Sequence, residues 1–127
     1  NPLAMSAGKR LLSELIKINP YKDLQKKAFL LMNGMEKIMH SHKIEFSSNA
    51  IGGMFGFFFS KKLPKNLNDV IATNDDVFMR FLNDSISNGI YFAPSKYEAG
   101  FISTKHDEEI INNTLTTVEE IIKNYEI

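Results

Sequence analysis

Six residues, Met54-Phe55-Gly56-Phe57-Phe58-Phe59, constrain the fold of this chain more than any other stretch. They are strongly β-like, and the run is strand-sized. Gly52-Gly53 precedes them as a turn or bulge signal. The polar loop Lys61-Lys62-Leu63-Pro64-Lys65-Asn66 follows, where Pro64 prevents a regular continuation. Aromatics at successive positions predict a strand covered on both faces. Two further segments read as strands. Ile44-Glu45-Phe46-Ser47 alternates apolar and polar as a half-buried strand does, and Ile90-Tyr91-Phe92-Ala93 is a short strand stopped by Pro94.

Helical spacing accounts for most of the remainder. Pro2 suits a first helical turn, and the stripe Leu3, Ala7, Leu11, Leu15 and Ile18, widened by Leu12 and Ile16, predicts a helix over 2–18. Asn19-Pro20 breaks it. A second helix runs from about Tyr21 to His42, with Leu24, Ala28, Leu31, Met35, Ile38 and Met39 on its apolar face. Gly34 inside this helix costs about 1 kcal/mol relative to alanine, which a close contact would explain. Thr73-Asn74-Asp75-Asp76 marks a third helix start. Val77, Phe78, Phe81, Leu82 and Ile86 form its stripe, and Asn88-Gly89 ends it. A last helix starts near Asp107, with Ile111, Leu115, Val118, Ile122 and Tyr125 facing the core. The expected fold class is α+β: a small, mainly antiparallel sheet of three or four strands with helices packed on it.

Length and charge narrow the function classes. The 127 residues fit one compact domain, 1–127, entered through the helix at 2–18. Lys+Arg and Asp+Glu are balanced at 15 each, which argues against a protein whose main work is binding nucleic acid or an anionic membrane. With no cysteine there is no disulfide, thiolate nucleophile or cysteine-held metal, and the composition fits a reducing cytoplasm. No apolar run approaches the roughly 20 residues that span a bilayer. The chain starts at Asn1 rather than at methionine, so we expect it to begin within a longer protein.

Little catalytic chemistry can be assembled from the residues alone. His40 and His42 stand two apart on a helix and point away from each other, so exposed or capping roles suit them better than a shared metal. His106 reads as a loop or capping residue beside a helix start. Gly52-Gly53-Met54-Phe55-Gly56 lacks the lysine and the spacing of a phosphate loop. Core packing explains Phe57-Phe58-Phe59 better than a nucleic-acid stacking platform does. The segment Ala93-Pro94-Ser95-Lys96-Tyr97-Glu98-Ala99-Gly100-Phe101 is the exception. It places one carboxylate, Glu98, on a loop, and Gly100 permits close backbone approach. Spacing by itself favours a structural ion pair for Glu98, and no nucleophile, base and oxyanion-donor set gathers around it.

Several stretches together carry a resemblance. Asn1-Pro2-Leu3-Ala4-Met5-Ser6-Ala7-Gly8 resembles the end of the SGNPLAMAAG segment of class-III aminotransferases. Gly53-Met54-Phe55-Gly56-Phe57-Phe58-Phe59 is similar to the MFGxFF strand of glutamate-1-semialdehyde aminomutases. Residues 89–103 resemble their GVYLAPSQFEAGFxS signature, and His106 matches the histidine after it. The first motif is widely shared, whereas APSxxEAGF is much more specific to the aminomutase. The resemblance implies the C-terminal small domain of a type I pyridoxal-phosphate fold. The implied enzyme is a cytoplasmic homodimer that converts glutamate-1-semialdehyde to the tetrapyrrole precursor 5-aminolevulinate.

The same resemblance puts the lysine that binds pyridoxal 5'-phosphate upstream of this stretch. It therefore implies no catalytic residue here, no cofactor bound to this stretch alone, and the N-terminal remainder of the enzyme as partner. Glu98 matches the family glutamate that faces the active site, so on this ground it becomes substrate-proximal. A glutamate there would repel a second carboxylate. Asn1 would stand near the cofactor phosphate. Lys96 replaces the usual glutamine, Tyr97 replaces phenylalanine, and Lys105 stands where a small residue is usual; no role follows for Lys105 or His106. Two other readings remain open: the same domain of another class-III aminotransferase, and a stand-alone dimerisation or binding module.

Overall fold

The computed structural model describes residues 1–125. In chain order the elements are α1 (Pro2–Ile18), α2 (Tyr21–Ser41), β1 (Ser47–Ile51), β2 (Met54–Phe58), α3 (Leu67–Ile71), α4 (Asp75–Ser87), β3 (Gly100–Phe101) and α5 (Glu108–Ile122). The fold is α+β. Three antiparallel strands in the order β1-β2-β3 form an open sheet, and helices cover one face. No helix among the described residues is long and apolar enough to cross a membrane.

The sheet grows from the glycine pair. Gly52-Gly53 joins β1 to β2 with Ile51 opposite Met54 and Ser47 opposite Phe58. The period of two then sends Phe55, Phe57 and Phe59 to one side, where all three are buried. There they meet aromatics from the flanking segments. Phe57 stacks on Phe46 at 5.6 Å between ring centroids and meets Phe92 edge-on at 5.4 Å. Phe81 lies edge-on to both Phe57 and Phe59, at 5.8 and 5.5 Å. Such offset and edge-to-face pairs add about 0.5–1.5 kcal/mol each beyond area burial.

The opposite face is not covered as the aromatic run predicts. Phe58 is only half-buried and Met54 is 40% exposed. Only one phenylalanine of the run, Phe58, points that way, beside Gly56.

Two of the three predicted strands are displaced. Pairing begins at Ser47 rather than at Ile44. Ile44 and Phe46 are buried as their alternation predicts, but the Ile44 N–H donates to the Met39 carbonyl at 2.9 Å and so finishes α2 instead of starting a ladder. Residues 90–93 form no strand. The Ile90 N–H closes the end of α4 on the Ser85 carbonyl at 2.8 Å, and Phe92 enters the aromatic cluster without a strand partner. The third strand is instead Gly100–Phe101, paired with Phe55 and Met54, and Ile102 extends it with an N–H donated to the Gly53 carbonyl at 2.7 Å. A side chain at position 100 would collide with the Phe55 ring, so the glycine lets β3 approach β2. The short helix α3 lies outside the segments that the sequence pattern predicts as helical. Its signal is Asn66, whose side chain accepts from the Asp69 N–H at 3.1 Å.

The helix assignments agree better with the sequence. α2 packs against α5, and Gly34 marks the crossing: a β-carbon there would lie 2.5 Å from Leu115 Cδ1. Asp107 caps α5 by accepting from the Ile110 N–H at 2.9 Å. Tyr125 closes the far end, donating its hydroxyl to Asp84 at 2.9 Å beneath the Arg80 guanidinium. Ile86, placed in the buried stripe of α4 by spacing, is 48% exposed because it lies on the last turn, beyond Phe78, Phe81 and Leu82. The outer edge of β1 is closed from within the chain. Glu36 accepts from the Ser48 N–H and Oγ at 3.0 and 2.8 Å, and the Ala50 N–H goes to Asn49 Oδ1. These bonds occupy donors that an edge strand otherwise offers to another chain. α1 buries none of its residues.

Candidate functional site

The uncovered face of the sheet is one wall of a groove of about 410 Å³. Ile51, Met54 and Phe58 line the sheet side, Leu67 and Val70 of α3 a second wall, and the turn Lys96–Ala99 a third. Its lining is mostly apolar. Polar character comes from Asn49 and from two charged residues of the turn, Lys96 and Glu98.

The turn is built by its own sequence. After Pro94, Ser95 organises the next residues: its Oγ accepts from the Tyr97 N–H at 3.2 Å and its carbonyl from the Glu98 N–H at 3.0 Å. Gly100 then enters β3. Glu98 is exposed at the rim, and among the described residues its carboxylate makes no ion pair within 4 Å. The structural ion pair that spacing favours for Glu98 is therefore not formed.

Lys96 is quite different. Its side chain is 5% exposed, and its ammonium reaches Asp75 Oδ1 at 2.6 Å and the carbonyls of Ile71 and Thr73 at 3.2 and 3.4 Å. The sequence marks Lys96 only as a replacement for the usual glutamine and gives no sign of this role. The partners lie more than twenty residues earlier, and no local pattern announces such a pairing. With its three donors occupied, Lys96 gives the groove no free cation.

The other candidates lie elsewhere. Asn1 does not line the groove; its side-chain carbonyl accepts from the Leu3 N–H at 2.9 Å and caps α1. His106 Nδ1 accepts from the Ser103 N–H at 3.0 Å, which leaves the ring proton on Nε2 and makes the histidine a turn-former. His40 Nε2 bonds the Phe46 carbonyl at 3.0 Å. No group of three metal-ligating side chains occurs among the described residues. Nor do these residues build a complete pyridoxal-phosphate site. The one buried lysine among them, Lys96, is committed to Asp75, and the Asn1 amide oxygen is spent on its own helix.

No family model matches the chain. Curated proteins do. Glutamate-1-semialdehyde 2,1-aminomutase of Neisseria gonorrhoeae (strain NCCP11945) is 37% identical over 123 residues, 97% of this chain. The protein of the same name in Psychrobacter cryohalolentis is 39% identical over 125 residues, 95% of the chain, and that in Bordetella avium 37% over 119 residues, 94% of the chain. The chain is a relative of the glutamate-1-semialdehyde 2,1-aminomutases. It spans less than a third of their length, 28–29%, and matches their C-terminal part. The aminomutase match runs through the groove-lining strand β2 and the Glu98 turn alike, since it covers nearly all of the chain.

Proposed function

We propose that this chain is the C-terminal small domain, 1–127, of a pyridoxal-phosphate-dependent glutamate-1-semialdehyde 2,1-aminomutase. The reaction is the conversion of glutamate-1-semialdehyde to 5-aminolevulinate in tetrapyrrole synthesis. The observation that carries this reading is the aminomutase match across nearly the whole chain, joined to a turn that holds one unpaired carboxylate over an open apolar groove. The cofactor and the residues that bind it belong to the preceding part of the enzyme. This domain supplies a wall of the site.

Glu98 is the substrate-proximal group in this reading. A carboxylate at the rim of an apolar groove attracts an ammonium group and repels a second carboxylate. A substrate that carries both would be turned with its amine toward Glu98 and its carboxylate away. Asn1 stands at the cofactor side in the same reading, although its side-chain oxygen and its carbonyl are both spent on α1, accepting from the Leu3 and Met5 N–H groups at 2.9 and 3.0 Å.

Two uncovered surfaces support the partners in this reading. The α1 stripe leaves Leu12 61% and Ile16 82% exposed, and Ile51, Met54 and Leu67 are exposed along the groove. Apolar faces of this extent mark a contact with another protein surface. We assign them to the N-terminal remainder of the enzyme within a homodimer. A cysteine-free chain suits the reducing cytoplasm where we place the reaction.

The test is borohydride reduction of the protein from its source cells, followed by peptide mass spectrometry. A phosphopyridoxyl-lysine peptide in the same polypeptide as residues 1–127 is the expected result. A polypeptide that contains residues 1–127 but no such lysine would refute the reading.

A further inference from the structure

We propose that Lys96 and Asp75 form a clamp that positions Glu98, making Lys96 a positioning residue for the site rather than a bystander in its signature. The proposal rests on the reading of Glu98 given above and adds to it the device that holds the residue in place.

The geometry supports a clamp in three ways. The Lys96 ammonium is nearly enclosed and carries three donors, and it finds three acceptors: Asp75 Oδ1 at 2.6 Å, the Ile71 carbonyl at 3.2 Å and the Thr73 carbonyl at 3.4 Å. A buried charge satisfied so completely has one favourable placement, because leaving any of these acceptors strands a desolvated ammonium. The acceptors are also well anchored. Ile71 ends α3, Thr73 is buried, and Asp75 opens α4, whose Phe78 and Phe81 lie in the aromatic core. Finally, the turn has two fixed ends. Lys96 ties it to the α3–α4 connection, and Gly100 ties it to β2. Glu98 lies between these ties, two residues from each, and has no ion pair of its own.

Exposure of the two partners decides how to probe the clamp. The Asp75 side chain is 67% exposed, so Asp75→Ala removes the anionic jaw without opening the core. Asp76 is its control. It lies in the same first helical turn, contributes the same charge to the helix N-terminus, and makes no ion pair with Lys96.

In the holoenzyme that carries this chain, Asp75→Ala should speed amide exchange at Tyr97 and Glu98 about tenfold or more, whereas Asp76→Ala leaves both unchanged. No change in Asp75→Ala, or an equal change in both variants, overturns the clamp. A double-mutant cycle on aminomutase kcat/KM supplies a readout that a general loss of stability would not move. Asp75→Ala should lower kcat/KM about tenfold when Glu98 is present and have almost no effect in Glu98→Gln, because the clamp acts through that residue. Equal losses in the two backgrounds overturn the positioning role. If Glu98→Gln alone leaves kcat/KM unchanged, the functional reading of Glu98 fails, and the exchange measurement still decides whether the clamp exists.

Discussion

α1 and α4 have the same sequence grammar and opposite fates. Each has an asparagine N-cap whose side chain accepts a backbone N–H, and each carries an apolar stripe at helical spacing. α4 inserts Phe78, Phe81 and Leu82 into the aromatic core, while α1 buries none of its seventeen residues. Periodicity therefore says that a helix has a face to cover, and is silent about what covers it. α4 finds its cover within the chain, in the β2 phenylalanines. Among the described residues α1 has no such partner, and in the proposed function its cover is the rest of the enzyme.

Substitutions in the two regions should separate them sharply. Phe81→Ala, at the fully buried centre of the cluster, should cost about 3–5 kcal/mol in urea denaturation. A cost below about 1 kcal/mol would mean that the core is not where the contrast places it.

Gly34→Ala comes next. The new methyl would meet both Leu115 methyls and its Cγ, so a χ2 flip alone cannot clear it, and we expect a loss of about 1–3 kcal/mol despite the better helix propensity. In a Leu115→Ala background the same substitution should turn neutral or stabilising, by up to about 1 kcal/mol. If it costs as much there, the α2–α5 crossing is not what Gly34 serves.

Tyr125→Phe should cost about 1 kcal/mol at neutral pH, for one hydrogen bond. Burial, reinforced by the hydrogen bond to Asp84 and by its negative charge, pushes the Tyr125 phenol well above the ordinary tyrosine range. The folded state then holds the proton more tightly than the unfolded state. The associated stability is complete below about pH 10, the unfolded value, and is lost as pH rises above it. Thermal melts should accordingly show an alkaline loss that is smaller in Tyr125→Phe. Identical alkaline profiles would remove Tyr125 from the α4–α5 contact.

The smallest effect belongs to α1. Leu12→Ala should stay within about 0.5 kcal/mol in the chain by itself, and a loss of 2 kcal/mol or more would break the contrast with α4.

Much of the fold is legible in the residues because local rules settle it. Asn74 and Asp107 cap the helices that their positions predict, and Gly52-Gly53 makes the hairpin. The errors fall where a backbone group had to choose between partners. Ile44 and Ile90 carry β-like patterns, yet both N–H groups bond back to the preceding helix, and β3 forms instead at Gly100–Phe101, where Phe101 is 69% exposed and no apolar alternation announces a strand. The site divides in the same way. Glu98 stands out in the sequence as a lone carboxylate on a glycine-bounded loop. The clamp beneath it does not, because Lys96 finds Asp75 across a separation that only the folded chain closes.

Amide hydrogen exchange on the 127-residue chain alone tests the central contrast most directly. A helix of seventeen residues without tertiary cover is marginal in water, so the amides of α1 should exchange with almost no protection, while those of α2 around Met35 and of α5 around Val118 approach global stability. Protection in α1 equal to that in α2 would contradict the account, because it would show that the chain covers this face by itself.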